Sequence, residues 1–338
     1  MKFSTSLLFA SVLSAGLLVG CDGGSGTSQP AQKTAAEAPK AAPVVIYTNA
    51  DEEAQQAMKN ALDKNGLQGA YLMQSFGTSE LGGKLVAEGK NIEADVVTIS
   101  TYYLESMQKS QKLFRDLGIK LDTVGPAVSY YAPILGICGA LFVNTEVLKA
   151  DNLPKPTAIA DLAKPEYAGH ISVPDIMGSS TSWLMTQAMI SAKGEQEGSA
   201  IIRAIEKNAG AHLEKSGSGP LKKIRAGEAA VGFGLRHQAV ADKAKGLPID
   251  YVDPVEGNFT LLEAAAVVDK GDKTNPNAEK VVETIVKFGR QELLKFYPVV
   301  LYKGETVSAE NKPANHKTFS EPLTVELLQK HQKLVKGE

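Results

Sequence analysis

Apolar positions along the chain switch repeatedly between short dense runs and helical spacing. Val44-Val45-Ile46-Tyr47 is a dense run that predicts a strand, and Thr48-Asn49-Ala50-Asp51 follows as a turn. From Asp51 to Lys64 the apolar residues Ala54, Met58, Ala61 and Leu62 share one helical face, which Asn65-Gly66 ends. Tyr71 to Phe76 predicts a second strand, and Gly77-Thr78-Ser79 starts a helix carrying Leu81, Leu85 and Val86. Ala94 to Ile99 predicts a buried strand and Tyr103 to Leu113 a further helix. Strands alternating with helices predict an α/β architecture with largely parallel sheets.

A second series starts after an apolar strand at Ile134 to Val143. Leu153-Pro154-Lys155-Pro156 is a rigid connector, and Ala160 to Ala163 a short helical piece. Ile171 to Pro174 predicts a strand that leads into Gly178-Ser179-Ser180-Thr181-Ser182-Trp183 and a helix over Leu184 to Ala192. Ser199 to Asn208 predicts another helix, and Ser216 to Pro220 opens one more, with Pro220 suited to its first turn. Strands are expected at Ala229 to Phe233 and Ala264 to Val268, and helices at Ala278 and Leu323. Two similar series predict two lobes.

The N-terminus has its own pattern. Met1-Lys2 is a short positive start, and Leu7 to Val19 is apolar but too short to span a bilayer, the layout of an export signal. Leu18-Val19-Gly20-Cys21 resembles a lipobox, which implies cleavage before Cys21 and a lipid on that residue. Residues 21–43 have almost no large apolar side chain, so they are read as a flexible tether.

Composition narrows the function classes. Formal net charge is −2, so no global field draws the chain to nucleic acid. The two cysteines are Cys21 and Cys138, and with Cys21 lipid-modified no disulfide forms. Cys138 lies in an apolar strand and is expected to be an inert core thiol. No Gly-x-Ser-x-Gly, Walker loop, His-Glu-x-x-His or Cys-x-x-Cys occurs, and the five histidines show no metal-ligand spacing. No catalytic residue, metal ligand or cofactor is therefore assigned.

Three hydroxyl-rich turns fall where helices begin: Gly77-Thr78-Ser79, Gly178 to Ser182, and Ser216-Gly217-Ser218. Helix N-termini carry unpaired N–H groups and partial positive charge, which suit an anion. Ser and Thr are also the favoured N-caps, so capping and ligand binding both remain open for each turn. Arg236, just after Val231-Gly232-Phe233-Gly234, is placed as a bidentate partner for phosphonate or carboxylate, with a surface arginine as the alternative.

Together with these features, residues from about 44 to 305 resemble the type 2 periplasmic substrate-binding proteins of ABC importers. Val44 to Glu52 looks like the opening strand and turn of the branch that binds ferric ion, thiamine, polyamines and phosphonates. Phe76 to Leu85, Ala94-Asp95-Val96-Val97-Thr98, Gly178 to Trp183, Gly232 to Gln238, and Tyr251 to Phe259 look most like 2-aminoethylphosphonate-binding proteins. Ferric-binding relatives place a tandem tyrosine pair where Leu235-Arg236 stands here, and an arginine would oppose a cation.

The resemblance implies a two-lobed α/β fold with the ligand cleft between the lobes. Lobe one is expected over 44–135 and 260–338, lobe two over 136–259, after a signal peptide over 1–20 and the tether. Phosphonate oxygens are expected on Thr78, Ser79, Ser179, Ser180, Thr181 and Ser218, supported by Arg236. The amine is expected near Asn49 and Glu263, beside Thr48, with Tyr131 as an aromatic wall. Implied partners are a small aminophosphonate, an ABC permease of the inner membrane, and the membrane itself through the Cys21 lipid, with the body a monomer outside the cytoplasm. The alternatives are a ferric ion, thiamine or polyamine binder of this fold, and a lipid-anchored phosphoester or phosphonate hydrolase.

Overall fold

The computed structural model describes residues 42–338. The expected signal segment, Cys21 and the tether up to residue 41 lie outside the described residues.

The first lobe opens with β1 (Val44–Thr48), α1 (Glu52–Leu62), β2 (Tyr71–Ser75), α2 (Thr78–Glu88), β3 (Val96–Ser100) and α3 (Thr101–Gln111). β1 runs parallel to both β2 and β3, as helical crossovers require. β3 is buried on both faces along its whole length, Thr98 and Ser100 included, whereas β2 lies at the edge and is mostly exposed.

The chain then enters β4 (Ala132–Asn144), α4 (Thr145–Ala150), β5 (Ile171–Pro174), α5 (Ser180–Lys193) and α6 (Glu195–Ala209). β6 (Leu213–Glu214), α7 (Gly219–Arg225), β7 (Val231–Leu235), α8 (Arg236–Ala244) and β8 (Ile249–Val252) complete the second lobe. β9 (Thr260–Val267), α9 (Ala278–Thr284), α10 (Arg290–Phe296) and α11 (Val325–Lys336) follow. The strand order is β2-β1-β3-β9-β4-β7-β5-β6, with β8 also on β4.

β4 joins the lobes. Its first half, Ala132 to Cys138, pairs with β9, and its second half, Gly139 to Val143, pairs with β7. The chain passes outward to the second lobe in β4 and returns in β9, so these neighbours are antiparallel. The sheet is therefore mixed, where the sequence pattern predicts largely parallel strands. Gly139 lies where β4 changes partners, and a Cβ there would stand 2.5 Å from the Phe233 ring. Cys138 beside it is buried in β4, and burial pushes its thiol up to about 11, so it stays protonated and unreactive.

The C-terminal helix departs from expectation. α9 and α10 pack against α1, but α11 packs chiefly on the second lobe. Trp183 Nε1 of α5 donates to His331 Nδ1 at 2.9 Å, Gln332 donates to the Ile176 carbonyl at 3.1 Å, and Lys330 pairs with Glu195. Residues 260–338 thus do not all return to lobe one. The apolar face of α11 finds its partner on α6 instead.

Candidate ligand-binding site

A cavity of about 550 Å3 lies between the lobes. All three hydroxyl-rich turns reach it, through Gly77-Thr78, Gly178 to Thr181, and Ser216 to Ser218. Capping and exposure divide the hydroxyls. Ser179 Oγ accepts from the Thr181 N–H at 3.2 Å and Ser216 Oγ from the Gly219 N–H at 3.1 Å, both cap-like roles. Among the described residues the Ser218 and Thr181 hydroxyls have no hydrogen-bond partner, which leaves them to a ligand. Gly217 is required for the convergence, because a Cβ there would stand 2.1 Å from Thr181 Oγ1.

The lobes meet at this cavity. Thr78 Oγ1 lies 3.5 Å from Ser180 Oγ, and the Ser79 N–H donates to the Gly178 carbonyl at 3.4 Å. The indole of Trp183 packs edge-on against Tyr102 of α3, with ring centroids 4.9 Å apart.

Charge is divided between the walls. The first lobe contributes Asp51, Glu52, Glu53, Glu80 and Glu263, and the second contributes Lys215, Lys222 and Arg225. Arg225 is held in place by Asp242, which takes Nε and Nη2, the latter at 3.0 Å. Asp242 is buried, so the fork is fixed from behind and its remaining edge is free for an anion.

Two of the carboxyls are perturbed by their setting. Burial pushes Glu263 up to about 7 and the nearby Asp51 charge adds to this, against hydrogen bonds from Asn49 and Ser100. Burial pushes Asp51 up to about 6, with Glu53 adding, against the hydrogen bond from Tyr297. Glu263 Oε1 accepts from Asn49 Nδ2 at 2.8 Å, and the Asn49 Oδ1 has no partner among the described residues. A cationic donor placed here would satisfy that oxygen and stabilise the ionised carboxylates.

The sign of the pH effect follows from Glu263. Its folded pKa lies above its unfolded one, so its contribution to stability is fully present below about 4.5 and is lost as pH rises through about 7. Glu263→Gln keeps the acceptor oxygen without the charge. The ligand-free variant is expected to exceed the wild type in stability at pH 8 by on the order of 2–3 kcal/mol, and to match it near pH 4.5. Urea unfolding at the two pH values measures this, and equal stability at pH 8 would refute a strained carboxylate.

The expected residues divide into two groups. Asn49, Thr78, Ser179, Ser180, Thr181, Ser218 and Glu263 line the cavity. Thr48, Ser79, Tyr131 and Arg236 are not among its lining residues. Thr48 is fully buried and its Oγ1 accepts from Thr98 Oγ1 at 2.6 Å and from the Ala50 N–H at 3.1 Å, which fixes the turn after β1. Ser79 contributes its N–H to the lobe contact. The Tyr131 hydroxyl donates to Glu105 at 2.9 Å, away from the cleft.

Arg236 requires the main correction. Its Nε and Nη2 bind Asp253 at 2.7 and 3.1 Å, and Nη1 donates to the Glu310 carbonyl at 2.8 Å. The guanidinium also stacks on Tyr251 at 4.7 Å. It is 3% exposed and its donors are committed, so it fastens residues 310–314 across the crossing segments and does not face a ligand. The cleft arginine is Arg225. Asp51, Glu53, Lys222, Gln238 and Tyr297 are likewise lining residues that sequence reasoning missed. The one available signal was Asp51 and its neighbouring acids directly after β1, which read equally well as a helix N-terminus.

A two-lobed α/β body with a polar cleft at the lobe junction defines a solute-binding fold, in which closure over the ligand excludes water. Residues 92–315 match the family model of bacterial extracellular solute-binding proteins, and the chain belongs to that family. It is similar to an Fe(3+)-binding periplasmic protein of Serratia marcescens, 27% identical over 271 residues that cover 75% of this chain and 76% of that one. It is also similar to an uncharacterized protein of Haemophilus influenzae, 28% identical over 202 residues. That match covers 59% of this chain and spans 56% of the relative's length.

Solved structures share the fold. The periplasmic binding protein P5PA superposes with a TM-score of 0.70 at 18% identity, covering 88% of this chain and 96% of that one. AfuA from Actinobacillus pleuropneumoniae, with fructose-6-phosphate bound, gives 0.66 at 22% identity and covers 88% and 97%. These findings give no support to the hydrolase reading. No described helix is long and apolar enough to cross a membrane.

Proposed function

We propose that this protein captures a zwitterionic aminophosphonate, with 2-aminoethylphosphonate as the ligand, and delivers it to an ABC permease. The observation that carries this reading is the opposition of charge across one small cavity. An ammonium group fits the wall built from Asp51, Glu263 and Asn49, and a phosphonate fits the free hydroxyls of Thr181 and Ser218 beside Arg225. A purely cationic ligand would leave the basic wall unpaired in a dry cleft, and a purely anionic one would meet the carboxylates.

The Serratia marcescens relative is named for ferric ion, and iron is the second reading. Tyr297 is the lining tyrosine among the described residues, and its hydroxyl is bound to Asp51. Tyr130, Tyr131, Tyr102 and Tyr103 all lie off the cavity. Among the described residues no group of three or more His, Cys, Asp or Glu is disposed to hold a metal. The aminophosphonate therefore accounts for more of the site.

Titration calorimetry against 2-aminoethylphosphonate, phosphate, putrescine, thiamine and ferric citrate tests the assignment. The aminophosphonate is expected to bind tightest, with phosphate and putrescine each weaker by about a hundredfold or more, since each forfeits one wall. Ser180→Ala and Thr181→Ala are expected to cost about 0.5–1.5 kcal/mol each. The sole tryptophan, Trp183, spans the lobe contact, so its fluorescence should follow binding. Ferric citrate or putrescine binding tighter than the aminophosphonate would overturn the reading.

The protein is further proposed to act as a monomer tethered outside the cytoplasm through a lipid on Cys21, which rests on the lipobox pattern. Cys21→Ser is expected to move it from the membrane to the soluble fraction. Persistent membrane association with the signal removed would exclude the lipid.

A further inference from the structure

A second cavity, of about 740 Å3, adjoins the first and shares three lining residues with it: Glu53, Arg225 and Gln238. It lies between α8 and the end of α10, with Tyr251, Phe296 and Pro298 as its apolar side. The partition between the cavities is slight. Gln238 Nε2 reaches Glu53 Oε2 at only 3.5 Å. On the same wall two buried polar atoms have no partner among the described residues, Gln238 Oε1 and His237 Nε2, and Gln238 is 6% exposed. Burial lowers His237 to about 3, so its ring is neutral and can exchange a hydrogen bond without bringing charge.

Unpartnered buried polar atoms are costly unless a ligand or water completes them. These two ask for hydroxyl groups. Arg225 lines both cavities, so an anion seated on its free edge sits at their junction. The first cavity is already ample for a ligand as small as 2-aminoethylphosphonate.

We propose that the two cavities form one bipartite cleft, whose ligand carries a hydroxylated organic substituent esterified on phosphorus, seated between α8 and α10. The substrate class is then extended from free aminophosphonates to their esters and to phosphodiesters of amino alcohols. This rests on the zwitterion reading above and adds the group on the phosphorus. Esterification leaves one negative charge on phosphorus, which Arg225 alone can match.

Calorimetry with 2-aminoethylphosphonate, phosphoethanolamine and glycerophosphoethanolamine tests this, in the wild type and in Ala241→Trp. Ala241 is exposed and lines only the second cavity, so the indole fills that space without disturbing the core. The glyceryl diester is expected to bind at least as tightly as phosphoethanolamine. Ala241→Trp is expected to weaken the diester by about tenfold or more and to leave both unsubstituted ligands unchanged. A diester weaker than its parent, or a variant that treats both alike, overturns the bipartite cleft and leaves the zwitterion reading standing. If none of the three binds the wild type, the zwitterion reading itself falls and this inference with it.

Discussion

Arg225→Lys is expected to weaken 2-aminoethylphosphonate binding by roughly 30- to 150-fold, equivalent to about 2–3 kcal/mol, with little change in folding stability. In the proposed site the guanidinium would serve two anions at once. One edge is fixed by the buried Asp242, and the other faces the cavity beside Ser218 and Lys222. A lysine still neutralises Asp242, so the fold survives, but a single ammonium cannot present a fork to both partners. Lysine is the informative replacement, because Arg225→Ala would strand Asp242 without a counter-charge and confuse binding with stability. Calorimetry beside urea unfolding separates the two. Wild-type affinity in Arg225→Lys would remove this residue from the site.

Arg236→Ala is expected to do the reverse. It strands Asp253, which is 10% exposed at its side chain, and frees the carbonyls of Glu310 and Lys312 from their donor. Breaking such a pair from one side costs about 3–5 kcal/mol. The variant is therefore expected to lose that much stability in urea unfolding, and its folded fraction to bind ligand with near wild-type affinity. Replacing both partners, as Arg236→Met with Asp253→Leu, is expected to recover part of the loss, because neither charge is then buried alone. A stable Arg236→Ala protein that has lost ligand binding would return the arginine to the cleft.

The two arginines show where sequence reasoning stops. Arg236 follows a buried strand and Arg225 ends a short helix, and either position is compatible with a cleft. What separates them is which carboxylate waits nearby. Asp253 engages two donors of Arg236 together with the Ala314 N–H, and that backbone arrives from more than fifty positions further along the chain. Asp242 instead leaves one edge of Arg225 open. The acid wall was illegible for a related reason. Asp51 caps α1 and also lines the cavity, and no local pattern distinguishes a capping carboxylate from one that serves both roles.

The alternation of dense apolar runs with helical spacing determined seven of the nine described strands, most of the helices and the α/β class, and left out the short β6 and β8, because backbone periodicity dictates which side chains can be buried together. The turns at Thr78, Ser180 and Ser218 were likewise local, since glycine and hydroxyl residues declare a helix start wherever it falls. Only the tertiary structure decided that β4 and β9 lie antiparallel, that α11 rests on the second lobe, and that acids from one lobe face bases from the other. Those are relations between segments far apart in the chain. They are fixed by which apolar faces and which charges find each other when the chain collapses, and no window of sequence contains both partners.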